Sequence, residues 1–308
     1  MQLHRPVLLE EVVELLKSRD GGIYVDCTVG LGGHSEKILT VAAPEGSVIG
    51  IEIDAESLAL AEKNLSRFGK HFIKVRNNYK KLPGILDSLG IDAVDGILVD
   101  LGMSSYHVTQ SSRGFSFQID GPLDMRFDTD QEETAEKLVN ELPEENLQRI
   151  LEEYGEEKFG GKIARLIVAR RREKRIERTS ELSRIVLEAC GQRRSKIHPA
   201  TKTFQALRIA VNRELEGLSD FIRRAIERLK KGGRMAIISY HSLEDRIVKM
   251  SFRDLSSSCI CPPALPVCGC GRETLVRLIT RKPILPSRKE LLENPRARSA
   301  RLRVVERL

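Results

Sequence analysis

No apolar run in this chain of 308 residues approaches the ~18 needed to cross a bilayer, so a membrane span is not expected. The N-terminus also lacks a basic segment followed by a long apolar one. Met1–Lys17 reads instead as an acidic amphipathic helix, so no signal peptide and a cytoplasmic location are expected. Internal repeats and low-complexity tracts are missing. With 41% apolar and 31% charged residues, neither a disordered nor a fibrous chain fits. Cysteines are few, six in all, and are not spread like a disulfide framework. Cys27 and Cys190 sit in apolar settings and are expected as buried thiols, while the other four crowd together.

Charge is present but segregated. The net charge is only +7, yet residues 128–157 hold twelve acids and two bases. Residues 162–178 hold eight bases and two acids, and residues 281–308 hold nine bases and three acids. Two readings fit the basic runs: faces for a polyanion, or ordinary solvated helix faces.

The first hundred residues alternate short apolar strands (23–27, 47–53, 71–76, 94–99) with helical patterns, one of which spaces Leu58, Ala61 and Leu65 helically. That rhythm implies βαβ units and a parallel sheet covered on both faces. After Asp100 comes a long Ser-, Gly- and Asp-rich loop, 104–130, then helices near 132–141, 144–153, 158–175 and 180–190 with no strands between them. From Pro199 a single long amphipathic helix is expected through Leu229, bent near Gly217 and closed by Lys230-Lys231-Gly232-Gly233. A fifth strand at 234–239, a helix capped by Ser242, and closing strands at 275–280 and 301–306 complete an α/β pattern.

The strongest motif is Asp26-Cys27-Thr28-Val29-Gly30-Leu31-Gly32-Gly33-His34, directly after the first strand. A glycine turn entering a helix brings backbone amides up to a ligand. Glu52 ends the second strand, where a carboxylate suits a ribose diol. A dinucleotide turn would place a third glycine where Ser35 stands, and no phosphate-binding lysine loop is present. The pattern therefore favours S-adenosyl-L-methionine (SAM), which has no phosphate to cradle. The fourth strand ends in Asp100-Leu101-Gly102-Met103-Ser104, on the edge of the sheet where ligands sit. Asp100 and Ser104 are the candidate acceptors for an amine substrate. In the long loop, Tyr106, Phe115 and Phe117 are candidates to stack on a base, and Arg113 and Arg126 to meet phosphate. At least one of the two phenylalanines is expected to anchor the loop to the core instead. His241, after the fifth strand, reads either as a site residue or as a structural histidine. Cys259-Ile-Cys261 and Cys268-Gly-Cys270 read either as one structural zinc site or as plain thiols.

Longer blocks follow the same chain: His4-Arg-Pro-Val-Leu-Leu, Asp95-Gly-Ile-Leu-Val-Asp-Leu-Gly, Arg113-Gly-Phe-Ser-Phe and Gly121-Pro-Leu-Asp-Met-Arg. Further on come Tyr154-Gly-Glu-Glu, His198-Pro-Ala-Thr-Lys-Thr-Phe-Gln-Ala, Ser242-Leu-Glu-Asp-Arg and Asn294-Pro-Arg-Ala-Arg-Ser. With these the chain resembles, over nearly its whole length, the bacterial 16S rRNA cytidine-N4 methyltransferase family (RsmH, also called MraW). The resemblance implies a Rossmann-like SAM-dependent methyltransferase sheet with an inserted all-helical substrate domain. It implies methyl transfer to N4 of a decoding-centre cytidine, with 16S rRNA or the small ribosomal subunit as partner and neither membrane nor DNA. It carries SAM contacts onto Gly32, Gly33, His34, Glu52, Tyr79, Asp100 and His107. Glu52 stands where the family more often has Asp, and His107 where Gln is frequent. The expected division is residues 1–110 with 199–308 for the methyltransferase domain and 111–198 for substrate recognition.

Overall fold

The computed structural model describes residues 6–191, 198–259, 261 and 270–308. His4 and Arg5 of the opening block, and Cys268, lie outside them. In chain order the elements are α1 (Leu9–Leu16), β1 (Ile23–Asp26), α2 (Gly33–Ala42), β2 (Ser47–Glu52), α3 (Ala55–Leu65), β3 (Phe72–Arg76), α4 (Leu82–Ser88) and β4 (Val94–Asp100). Six helices follow: α5 (Ser105–Thr109), α6 (Ala135–Glu141), α7 (Glu144–Gly155), α8 (Gly160–Glu173), α9 (Thr179–Cys190) and α10 (Ala200–Asn212). The chain closes with α11 (Leu218–Ile226), β5 (Leu229–Ser239), α12 (Ser242–Leu255), β6 (Val276–Leu278), α13 (Arg288–Glu293) and β7 (Arg301–Arg307).

These elements form two compact units, residues 1–102 with 217–308, and residues 103–216. The first is α/β. Its seven strands lie in the order β3-β2-β1-β4-β5-β7-β6. β1 to β5 pair in parallel, and β7 runs antiparallel to both β5 and β6. The apolar runs that made the strands legible are buried on both faces, as a helix-covered parallel sheet requires. On one side Val25, Ile49, Ile97 and Ile237 pack with Leu86 of α4, Phe221 of α11 and Phe252 of α12. On the other, Val48, Leu98 and Ile238 pack with Leu16 of α1, Leu39 of α2 and Leu65 of α3. The second unit is helical. Its core joins the loop residues Phe115, Leu123 and Met125 to Leu151 of α7, Ile167 of α8, Val186 of α9 and Leu207 of α10.

Three expectations are corrected. The helix expected from Pro199 to Leu229 is two helices. Arg213 and Gly217 take left-handed conformations, φ 48° and 66°, and break it after Asn212. As a result α10 packs in the helical unit, whereas the periodicity had attached everything from residue 199 to the α/β unit. Lys230–Gly233 are not a helix cap. They sit in β5, where the register against β4 jumps from Val94↔Leu229 to Gly96↔Arg234, a bulge. There Lys230 Nζ donates to Asp95 Oδ2 at 2.7 Å. Finally, His241, not Ser242, caps α12.

Two buried carboxylates pin the C-terminal strands. Asp245 accepts from Arg303 Nε at 2.7 Å and Arg301 Nη1 at 3.0 Å. Glu306 accepts from Arg234 Nε at 2.9 Å and also from Arg277. Burial works against ionisation of both, but the arginines outweigh it and hold both carboxyls below their ordinary values. A depressed folded-state value contributes stability above the unfolded value of ~4 and loses it as pH falls through the folded one. Thermal melts are thus expected to be flat down to about pH 5 and to fall steeply below it. An Asp245→Asn, Glu306→Gln double variant is expected to melt lower at pH 7 and to lose less on acidification. A parallel acid profile for the two proteins would refute this role.

Candidate active site

β1, β2 and β4 end side by side, and each delivers a carboxylate to the same edge of the α/β unit: Asp26, Glu52 and Asp100. The strand order reverses direction between β1 and β4, the place where an open parallel sheet leaves a crevice at its carboxyl edge.

The glycine turn is built from β1 outward. Gly30 and Gly32 take φ of 53° and 89°, and Gly32 N donates back to Val29 O at 2.7 Å. A Cβ on Gly32 would stand 2.9 Å from Leu65 Cδ1, and one on Gly33 would stand 2.3 Å from Pro6 Cγ. A Cβ on Gly30 would meet nothing nearer than Thr28 O at 3.9 Å, so that side of the turn is open. Gly32 starts α2 without a side-chain cap, leaving its first amides for a ligand. Glu52 ties the turn to β2. Its Oε2 accepts from Gly30 N at 3.0 Å, and Oε1 accepts from Ile53 N and Asp54 N at 2.9 and 3.1 Å.

Asp26 is buried and accepts from Ser35 Oγ at 2.7 Å. Burial raises its carboxyl above the usual range against the opposing pull of His34. His34 Nε2 lies 2.9 Å from Val7 O. A carbonyl only accepts, so that nitrogen carries a proton and donates. The other ring nitrogen faces Asp100 Oδ2 at 4.0 Å. Asp100 Oδ1 accepts from Gly102 N at 3.0 Å, and its own amide donates to Thr28 Oγ1 at 2.8 Å.

Tyr240, just past β5, hydrogen-bonds to Asp100. Burial, then Asp100's charge, pushes its phenol well above the ordinary value, so it stays a neutral donor. The sequence places Ser239-Tyr240-His241-Ser242 on this edge but gives Tyr240 no role. The available signal was register: Asp100 pairs with Ile238, which puts the residues after Ser239 on the same edge. Gly102 is required by the same contact, because a Cβ there would lie 2.5 Å from the Tyr240 ring.

Tyr79 follows β3 at that edge and sets its ring on Phe221, centroids 4.8 Å apart at 78°. His241 is structural: its ring accepts from Glu244 N, and Glu244 returns a bond to the cap's backbone.

Ser104 and His107 belong to the helical unit. Ser104 Oγ accepts from Tyr106 N at 3.2 Å and caps α5. His107 is buried against Phe115 and Phe127, each 5.3 Å away between centroids. Here too expectations are corrected. Arg113 is buried and donates to the carbonyls of Arg126 and Phe127 at 3.0 and 3.2 Å. Arg126 grips Asp124 through two bonds of 2.8 Å. Neither is presented to phosphate. Phe115 is core, and Phe117 stacks on His198 at 4.5 Å.

Four bases of the run around α8 are closely paired within their own unit, while Lys162 and Arg172 are exposed. Arg170 pairs with Glu188 at 2.8 Å, Lys174 with Glu181 at 2.8 Å, Arg175 with Glu136 at 2.6 Å and Arg178 with Asp120 at 2.7 Å. The C-terminal run is different. Arg281, Lys282, Arg288, Lys289, Arg296 and Arg298 are exposed, and none holds an ion pair among the described residues. Among those residues no helix is long and apolar enough to cross a membrane.

The model of the MraW methylase family matches residues 1–308. The chain is 50% identical over 308 residues to a ribosomal RNA small subunit methyltransferase H from Pelobacter propionicus, covering 99% of this chain and 98% of the relative. Similar proteins of the same name come from Syntrophus aciditrophicus, 49% identical over 307 residues with 99% and 98% covered, and from Clostridium botulinum strain Kyoto, 47% identical over 306 residues with 99% of both covered.

Proposed function

The chain belongs to the MraW methylase family, and from that premise we propose that it transfers a methyl group from SAM to N4 of a decoding-centre cytidine in 16S rRNA. The observation that carries the reading is Glu52 clasping Gly30 across an open glycine turn, with the Asp100 carboxylate on the neighbouring strand end.

The donor set fits SAM. Amides of the uncapped α2 start and the backbone of Gly32 and Gly33 suit its amino-acid end, and Glu52 suits its ribose hydroxyls. His34 holds the start of α2 against Val7 through Nε2 and is kept as a cofactor-side contact through Nδ1, which faces Asp100. Tyr79 is assigned to the adenine. His107, packed against the stacked pair Phe115 and Phe127, is kept as a cofactor-side contact. SAM, when bound, supplies an electrophilic methyl on a sulfonium.

The amine of cytosine is a weak nucleophile because its lone pair is conjugated into the ring. An acceptor for its hydrogens localises that pair, and reacting atoms must be held ~3–3.5 Å apart and in line. Asp100 is assigned this acceptor role because Gly102 N and Tyr240 fix its orientation. Ser104 is assigned the second polar contact. Residues 103–216 are assigned to substrate recognition, with the base splayed from its stack.

The test is methyl transfer from labelled SAM to unmodified small subunits, free 16S rRNA and plasmid DNA, with the product nucleoside identified by mass spectrometry. N4-methylcytidine from the ribosomal substrates alone is expected. Label in DNA or at another atom overturns the substrate assignment.

The RNA backbone is assigned to the exposed basic side chains of residues 281–298 and not to α8. Charge reversal at Arg288, Lys289 and Arg296 is expected to weaken rRNA binding and to reduce the slope of log affinity against log salt by about one for each phosphate no longer neutralised. Arg170→Glu on α8 is expected to leave that slope unchanged. The reverse pattern would return the RNA to α8.

A further inference from the structure

The connection from α12 to β6 has no regular structure among its described residues, yet its ends are tied together. Leu275 N donates to Leu255 O at 3.0 Å. Arg272 donates to both carboxylate oxygens of Asp254, at 2.9 and 2.6 Å, and to its carbonyl at 2.7 Å. Next to this tie, Cys259 and Cys261 from the outgoing end and Cys270 from the returning end bring three sulfur atoms within 4.8 Å of one another.

Four thiolates around a tetrahedral zinc at ~2.3 Å stand about 3.8 Å apart, so these sulfurs need only a small contraction. Cys261 N donates to Cys259 Sγ at 3.3 Å, a bond that favours sulfur as the anion.

We propose that Cys259, Cys261 and Cys270 ligate one structural zinc ion that closes the α12–β6 connection. On binding, each thiol gives its proton to solvent and forms a sulfur–zinc bond, with no change of oxidation state. Cys268, the fourth cysteine of this stretch of sequence, lies outside the described residues. The ion takes no part in methyl transfer, and the proposal stands apart from that reading.

The full chain, expressed with zinc in the medium and dialysed, is expected to retain one zinc per chain by plasma mass spectrometry. Cys259→Ser and Cys270→Ser are each expected to weaken retention by on the order of tenfold or more. Cobalt added to metal-stripped wild-type protein is expected to show thiolate-to-cobalt charge-transfer bands, a readout that needs no variant to fold. Absence of retained metal, iron in place of zinc, equal zinc in the variants, or a mass deficit restored by dithiothreitol would each overturn the site.

Discussion

Asp100→Ala is expected to lower turnover at saturating SAM about 100- to 1000-fold, the usual cost of deleting one oriented polar group that acts on the reacting atoms. Three contacts orient the carboxylate. Gly102 N fixes Oδ1 at 3.0 Å, the Tyr240 phenol donates to it, and the backbone of Asp100 is itself anchored on Thr28 Oγ1 at 2.8 Å. Because burial and the carboxylate's charge both hold the Tyr240 proton on, the acceptor geometry persists through the working pH range. Asp100→Asn keeps one acceptor oxygen and is expected to lie between alanine and wild type. Single-turnover rates at saturating SAM separate this role from any loss of cofactor affinity, which calorimetry reads independently. Near-normal single turnover in the alanine variant would remove Asp100 from the chemistry.

Gly32→Val is expected to abolish SAM binding, with affinity down about 100-fold or more. The residue sits at φ 89°, and a left-handed conformation costs an L-residue about 1–2 kcal/mol. A β-branched side chain adds to that cost, and its Cβ would press to 2.9 Å from Leu65 Cδ1. The strain is relieved by moving the turn. Gly32 O accepts the α2 bond from Glu36 N at 2.8 Å, so the start of the helix would move with it. Circular dichroism is expected to change little, since the turn lies at the edge of the sheet. A calorimetric SAM titration matching wild type would show that this turn does not bind the cofactor.

Much of the sheet was legible because buried parallel strands are written as uninterrupted apolar runs, as in Val48–Ile51 and Ile97–Val99. The glycine turn and Glu52 were legible because close backbone approach demands glycine at fixed places. What the sequence hid was pairing at a distance. The bases of residues 162–178 read as one charged face, but Arg175, Arg170 and Arg178 are paired with Glu136, Glu188 and Asp120, which come from other elements. Arg113 reads as a phosphate ligand until its burial against two carbonyls is seen. Lys230–Gly233 carry the residues of a helix end, yet β4 recruits them as a bulge through Asp95. Tyr240 gave no signal of its own, because its meaning depends on the register of β5 against β4.

The division of the chain also sets an order of events during synthesis. The helical unit is continuous, from 103 to 216, and its core is complete once that stretch has left the ribosome. The α/β unit cannot close then. β5 and β7, which carry Ile237 and Val305 into its core, come from residues 217–308. The later-starting unit therefore folds first, while β1 to β4 wait as a half-sheet with β4 exposed along one side. Premature termination between residue 216 and the start of β5 yields a folded helical unit attached to an unpaired, aggregation-prone β4 edge.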